Sequence, residues 1–327
     1  MKLLIRLFIF LFIFLLETQA CRAIDSRSLV GIIFSSDNAY YRETYHHFSQ
    51  ELSRLGYDSS QLKQFIQRPN ADIFSWANSA RRAEAAGATA LVTFGSPVTR
   101  VALQETDSLP VVFSAASAPL DQELERLHDV TARALSNTSG IYGQVPVATL
   151  VKSYSEIVGP GSLTAIFHEN DLDAPYLLQD LEKATSIYGL KLEPLYLRNQ
   201  DFDSDLNNLV NKADGYFMPL GTFNDQQYDR LVQLLQLRNK PFISCGTGSS
   251  LNDSLINLQA DAEEQGIIAA RRLVEALNGT LQTGVDNFSM PRNVSLTVNV
   301  HIAKQLGLKI PFQVLTSATR IISHPEN

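Results

Sequence analysis

The sequence predicts an α/β protein made of two doubly wound parallel-sheet lobes, with a hinge and a ligand cleft between them. Two observations carry this reading. Continuous apolar strand-like runs alternate with amphipathic helical stretches, the pattern of a parallel sheet covered on both faces. The alternation then starts afresh in the second half, beyond a polar, glycine-bearing stretch at Asn137–Gly143 that suits a hinge.

The first half opens with Leu29–Phe34 (LVGIIF), a buried strand ending in Ser35-Ser36-Asp37-Asn38. Arg42–Leu55 reads as a helix stopped by Gly56, and Ile73–Ala86 as a second closed by Gly87. Ala90–Phe94 is a strand, Val98–Gln104 a helix following Gly95-Ser96-Pro97, and Pro110–Ser114 the next strand. In the second half Leu163–Phe167 is a strand and Ala174–Tyr188 an amphipathic helix closed by Gly189. Leu192–Leu197, Gly215–Met218 and Pro241–Ser244 follow as strands, separated by helices at Asp203–Asn211 and Asn224–Arg238. No short-period repeat is present, which excludes a solenoid. The expected division gives 27–140 plus about 245–280 to one lobe and 141–244 plus about 281–322 to the other. Further crossings between lobes are expected near Ser244–Ser250 and Asn278–Asn287.

The 327 residues are 45% apolar and 19% charged, an ordinary globular composition. The formal net charge of -7, with no basic run longer than the pairs Arg81-Arg82 and Arg271-Arg272, argues against nucleic acid as a partner.

Lys2 and Arg6 precede and interrupt the apolar run Leu3–Leu16, which is short of the ~20 residues a membrane span needs. We expect 1–23 to be a signal peptide that exports the protein to the cell envelope, as periplasmic or membrane-anchored protein. Cleavage after Ala20 or Ala23 releases a soluble protein; a lipoprotein cut between 20 and 21 leaves Cys21 lipidated and the protein tethered. Cys245 is the one other cysteine, so no disulfide framework supports the fold, and it reads as a small buried residue.

Ligands of open α/β sheets bind beyond the carboxyl ends of the strands, where helix N-termini offer unpaired N–H groups. Those ends place Asp37, Tyr40, Tyr41, Ser96, Ser114 and Ser117 of the first half in the candidate cleft. The second half contributes Glu169, Asn170, Thr222, Phe223 and Thr247. Ser96 either meets a ligand carboxylate or caps the helix it precedes. Tyr40, Tyr41 and Phe223 either sandwich a flat group or pack within their lobes.

With these elements in place, the chain resembles the ABC transporter substrate-binding proteins whose better-known members bind aromatic amino acids. The resemblance spans Val30–Ile322 and is most specific at Asn293–Pro311 (NVSLTVNVHIAKQLGLKIP), where Asn299, Ala303, Lys304, Leu306, Gly307, Ile310 and Pro311 fit. Leu109–Phe113, Asn137–Ile141 and Asp214–Pro219 match more weakly, in the same order. The resemblance implies a type I periplasmic-binding fold and a small-molecule ligand held between the lobes. It also implies a monomer that delivers the ligand to an ABC permease and ATPase, with no cofactor and no metal.

Relatives that bind amino acids carry acids where this chain has Ala118 and Gly221. An ammonium buried without a carboxylate is costly. The expected ligand is therefore neutral or anionic, with tryptophan, phenylalanine and tyrosine bound weakly. Asp37, Glu169 and Asp171 are the acids left to replace that charge, against capping helices or facing water.

An enzyme is disfavoured: no Gly-x-Ser-x-Gly elbow, P-loop or His-Glu-x-x-His motif occurs. His46 and His47 are adjacent on a helix and do not converge. A ligand sensor for a membrane kinase or chemoreceptor is the stronger alternative, because either role uses the closed form as its signal.

Overall fold

The computed structural model describes residues 28–106, 108–120, 137–198, 200–209, 213–219, 221, 223–246, 253–284 and 288–324. The expected signal segment 1–23 with Cys21, and the candidate residues Thr222 and Thr247, lie outside the described residues.

The first half runs β1 (Leu29–Phe34), α1 (Ala39–Arg54), β2 (Lys63–Gln67), α2 (Ile73–Ala85), β3 (Ala88–Phe94), α3 (Ser96–Glu105), β4 (Val111–Ala116) and β5 (Thr138–Tyr142). Then come α4 (Val147–Val158), β6 (Gly161–His168), α5 (Ala174–Ile187), β7 (Leu190–Leu197), α6 (Phe202–Leu209), β8 (Gly215–Met218), α7 (Asp225–Leu237), β9 (Phe242–Ser244) and β10 (Ile256–Ala260). The chain closes with α8 (Ala262–Leu277), β11 (Phe288–Ser289), β12 (Val294–Asn299), α9 (Val300–Gln305), α10 (Phe312–Ser317) and β13 (Arg320–Ile322). Two sheets result, in the orders β11-β5-β4-β3-β1-β2 and β13-β12-β10-β9-β8-β6-β7. The expected α/β class of two covered sheets is what forms. Every described pairing is parallel except β10 with β12.

Alternate residues of each strand serve opposite helix layers, which is why the strands read as unbroken apolar runs. Val30, Ile32 and Phe34 pack with α1 and α8, whereas Ile33 and Leu91 pack under α2 and α3 around Trp76. In the second sheet Leu163, Ala165 and Phe167 face α4 and α5, while Ile166, Tyr216 and Met218 face α6 and α7.

Helix α8 joins the first lobe from far along the chain. A Cβ at Gly266 would lie 2.5 Å from the Thr44 carbonyl and 2.6 Å from the Phe48 nitrogen, so only glycine permits this approach to α1. Arg271 of α8 reaches back to Glu51 of α1 at 2.8 Å. The Arg54 guanidinium first, and Arg271 with it, hold the Glu51 carboxyl down at about 2.

The sequence reading misplaces the boundaries between the halves. Thr138–Tyr142 is not a loop but the buried strand β5, paired with β4 and β11 in the first sheet. Its Thr and Ser side chains look like linker composition yet are fully buried. The first crossing instead occupies residues 143–146. The span expected as 245–280 of the first lobe is divided. β10 pairs with β9 and β12 in the second sheet, and the chain returns only between Ala260 and Ala262. The third passage follows β11, at 290–293, not at 278–287. Asp261 N–H donates to the Asn293 carbonyl at 2.9 Å, tying two passages together. The polar edge strand β2 (KQFIQ), which pairs only with β1, carries too little apolar signal to be read from sequence.

Candidate functional site

The carboxyl ends of the two sheets face each other, and three layers of contact lie between them. Nearest the crossings is a chamber of about 240 Å³ with walls from both lobes. Tyr40, Ser117 and Pro119 close it from the first lobe, Tyr176, Leu177 and Asp180 from α5, and Cys245, Gly246 and Leu258 from the ends of β9 and β10. Gln144 and Val145 of the first crossing and Val147 at the start of α4 complete the wall. The Tyr40 hydroxyl donates across the lobes to the Ala260 carbonyl at 3.0 Å, and burial pushes that phenol up. Burial likewise pushes the Cys245 thiol up to about 12, so it sits in the wall as an unreactive small side chain.

Ser117 reaches the chamber because β4 ends irregularly. Ala115 adopts φ 56°, and the β4–β5 register shifts between Phe113 and Ala116. A left-handed alanine costs roughly 1–2 kcal/mol. Gln265 of α8 holds it: its Oε1 accepts from Ala115 N–H and its Nε2 donates to the Tyr142 carbonyl, both at 2.8 Å. Gln265 is fully buried. One side chain thus fixes the ends of two strands.

The middle layer is a buried polar cluster. Arg100 of α3 donates from Nη1 to Asp173 Oδ1 at 2.6 Å and to the Leu172 carbonyl at 3.1 Å, with its guanidinium 5.1 Å from the Tyr176 ring centre. The Arg100 and Asp173 side chains are each only 6% exposed. Ser117 donates to the other Asp173 oxygen at 2.5 Å. Asp171 lies alongside, its Oδ1 accepting from Asp173 N–H at 3.0 Å. Burial, then the Asp173 carboxylate, push Asp171 up to about 7, with Arg100 pulling the other way. A Cβ at Gly221 would lie 2.8 Å from Asp171 Oδ2, so the Asp171 carboxyl fills the space beside that bare position. Ser36 donates to the Gly221 carbonyl at 3.2 Å.

The outer layer borders a polar recess of about 390 Å³ bounded by Asp37, Arg68, Asp72, His168 and Asn224. Asp225, the first residue of α7, accepts from Ala39 N–H at 3.1 Å and pairs with Arg42. A carboxylate of the second lobe thereby caps α1 of the first, where the helix dipole favours negative charge. Asn170 Nδ2 donates to the Ala71 carbonyl at 3.1 Å.

Of the residues anticipated from sequence, Tyr40 and Ser117 line the chamber. Ser96 is buried beside it, its hydroxyl accepting from Ala118 N–H at 3.0 Å rather than capping α3. Asn170 joins the lobes. The others go elsewhere. Ser114 donates to the Gln265 carbonyl, on the side of β4 that faces α8. Tyr41 packs in the core of the first lobe, its phenol pushed up by burial and by Asp173 and Asp171. Phe223 packs on His168 and Phe202 in the core of the second lobe. Asp37 sits at the rim, paired with Arg42 and Arg68, and Glu169 is exposed. Arg100 and Asp173 went unforeseen: each is a lone charge within a helix or its first turn, and only folding joins them. Asp171 and Asp173 stand buried between the lobes, outside the wall of the chamber.

The family model of ABC transporter substrate-binding proteins matches residues 30–322. No curated protein sequence matches significantly. Among solved structures, an ABC domain in complex with L-Trp from Streptococcus pneumonia has a TM-score of 0.79 at 18% identity, covering 90% of this chain and 99% of that one. A conserved domain protein from Vibrio cholerae has a TM-score of 0.77 at 18% identity, covering 90% and 99%. A solute-binding protein from Clostridium phytofermentas with bound L-rhamnose has a TM-score of 0.58 at 12% identity, covering 86% and 98%. The structural likenesses establish a periplasmic-binding-protein fold, and the family is one of binding proteins rather than enzymes. With the match running from β1 to β13, the chain belongs to the ABC transporter substrate-binding protein family.

Proposed function

We propose that the protein captures a small molecule in the chamber of about 240 Å³ by closing its two lobes at the three crossings, and delivers it to an ABC permease and ATPase outside the cytoplasmic membrane. The observation that carries the reading is a chamber walled by both lobes at the carboxyl ends of both sheets, the place where open α/β sheets bind ligands. Hinge closure needs rotation at only a few backbone positions, which the short segments 143–146 and 290–293 supply.

The lining sets the ligand class. Tyr40, Tyr176, Leu177, Val147 and Leu258 are broad apolar or aromatic surfaces suited to a partly apolar solute. Among the described lining residues Asp180 is the one charged side chain, and none is Lys, Arg or His. A purely anionic solute therefore meets no counter-charge, and the ligand expected here is neutral or zwitterionic.

A thermal-shift panel of neutral sugars, L-tryptophan, L-phenylalanine, L-tyrosine and indole-3-propionate tests this. A ligand at 100 times its Kd stabilises by about 2.7 kcal/mol. We expect stabilisation by a neutral or zwitterionic compound and none by indole-3-propionate; stabilisation by the anion alone refutes the charge reading.

Export rests on the apolar run Leu3–Leu16 behind Lys2. Fractionation is expected to place the protein in the envelope, and Cys21→Ser to release it from the membrane if the lipoprotein cleavage is used. Full-length protein confined to the cytoplasm refutes export.

A further inference from the structure

We propose that the closed cleft captures a proton on Asp171, so that the proton is a co-ligand of lobe closure in the solute-free protein. The inference rests on the closure reading above and adds a bound species to it.

The geometry is an imbalance of charge. Closing brings Asp171 and Asp173 of the second lobe against Arg100 of the first, two carboxylates facing a single guanidinium. Arg100 and Ser117 engage both oxygens of Asp173. Asp171 accepts from the backbone N–H groups of Asp173 and Ala174, its Oδ2 lies beside the bare Gly221, and the residue is 7% exposed. Among the described residues no second Lys or Arg is brought against the two carboxylates. Tyr41 of α1 is neutral, its phenol held well above its ordinary range. His168, at the end of β6, accepts from Asn170 N–H at Nδ1. One negative charge is left in a closed, buried space. A proton on Asp171 removes it.

The sign follows from where the proton binds. In the open cleft Asp171 is solvated and titrates in the ordinary carboxylate range near 4. In the closed cleft it titrates at about 7. Between these values the closed form holds the extra proton, so the closing equilibrium weakens as pH rises, by up to tenfold per pH unit. Above about pH 7 both forms are ionised and the dependence ends, with closure left at its weakest.

Small-angle scattering of the purified protein without solute is the test. The radius of gyration is expected to be smaller at pH 5 than at pH 8. Asp171→Asn, which mimics the protonated carboxyl, is expected to hold the smaller value at both. A wild-type radius that does not change with pH, or that shrinks on raising the pH, overturns the proposal even if the variant fails to fold. So does an Asp171→Asn protein that keeps the wild-type pH response. The same measurement with a stabilising compound from the thermal-shift panel separates the two readings. A radius that responds to the compound but not to pH removes the proton alone; one that responds to neither removes closure as well.

Discussion

Replacing Arg100 with Ala is expected to weaken solute binding by roughly two to three orders of magnitude while leaving the solute-free protein about as stable as the wild type. Breaking a buried ion pair by removing one partner costs about 3–5 kcal/mol, because the other charge is left buried and uncompensated. Here the two partners belong to different lobes, so the cost falls on closing rather than on folding. In the open form of the proposed cycle Arg100 and Asp173 part, so the lost partner is not felt there. Calorimetry with a compound found by the thermal-shift panel is the direct measurement. The loss should be greater at pH 8 than at pH 5, where protonation relieves the stranded carboxylates. A variant that binds as tightly as the wild type at pH 8 would show that the Arg100–Asp173 contact does not form on closure. A variant that melts well below the wild type without solute would show that Arg100 supports the first lobe itself.

The second large effect is expected at Trp76, the largest fully buried side chain of the first lobe. Its ring fills the layer between α2, α3 and the first sheet, and its Nε1 donates to the Ser35 carbonyl at 3.1 Å. Trp76→Ala should destabilise the lobe by about 3–5 kcal/mol through lost transfer energy and the cavity left behind. At about 2–4 °C per kcal/mol for a domain of this size, the melting temperature falls by roughly ten degrees or more. Trp76→Phe keeps most of the volume but leaves the Ser35 carbonyl without its donor, and should cost roughly 1–3 kcal/mol. Because Ser35 and Ser36 lead from β1 into the cleft, the Phe variant is also expected to weaken binding at temperatures where it remains folded. Thermal melts of both variants, with calorimetry on the second, check the pair. A Trp76→Ala protein melting within two or three degrees of the wild type would contradict the packing described.

The architecture was legible because it rests on local patterns. Apolar runs such as Leu29–Phe34 and Gly215–Met218 are buried on both faces, and glycines such as Gly56, Gly87 and Gly189 end helices at positive φ. These signals lie within a few residues of one another, and family motifs extend them through Asn299, which caps α9. Strands without that signal were misread. β5 carries buried Thr and Ser, β2 is a polar edge, and β10 was assigned to the wrong lobe because strand order is a long-range property.

The sequence by itself determined the class, the two sheets and the family, and pointed to the strand ends where the candidate cleft lies. The tertiary structure alone decided which of those residues meet. Asp173 looks like a residue at the start of a helix until Arg100, 73 positions earlier, is brought to 2.6 Å from it across the cleft. Ser114 and Ser117 lie three residues apart, yet the turn at Ala115 sends one to α8 and the other to the chamber. The surroundings of Gly221 are illegible for the same reason. A missing side chain is visible in sequence, but the Asp171 carboxyl that fills the space beside Gly221 comes from another loop, fifty residues away, and only folding places it there.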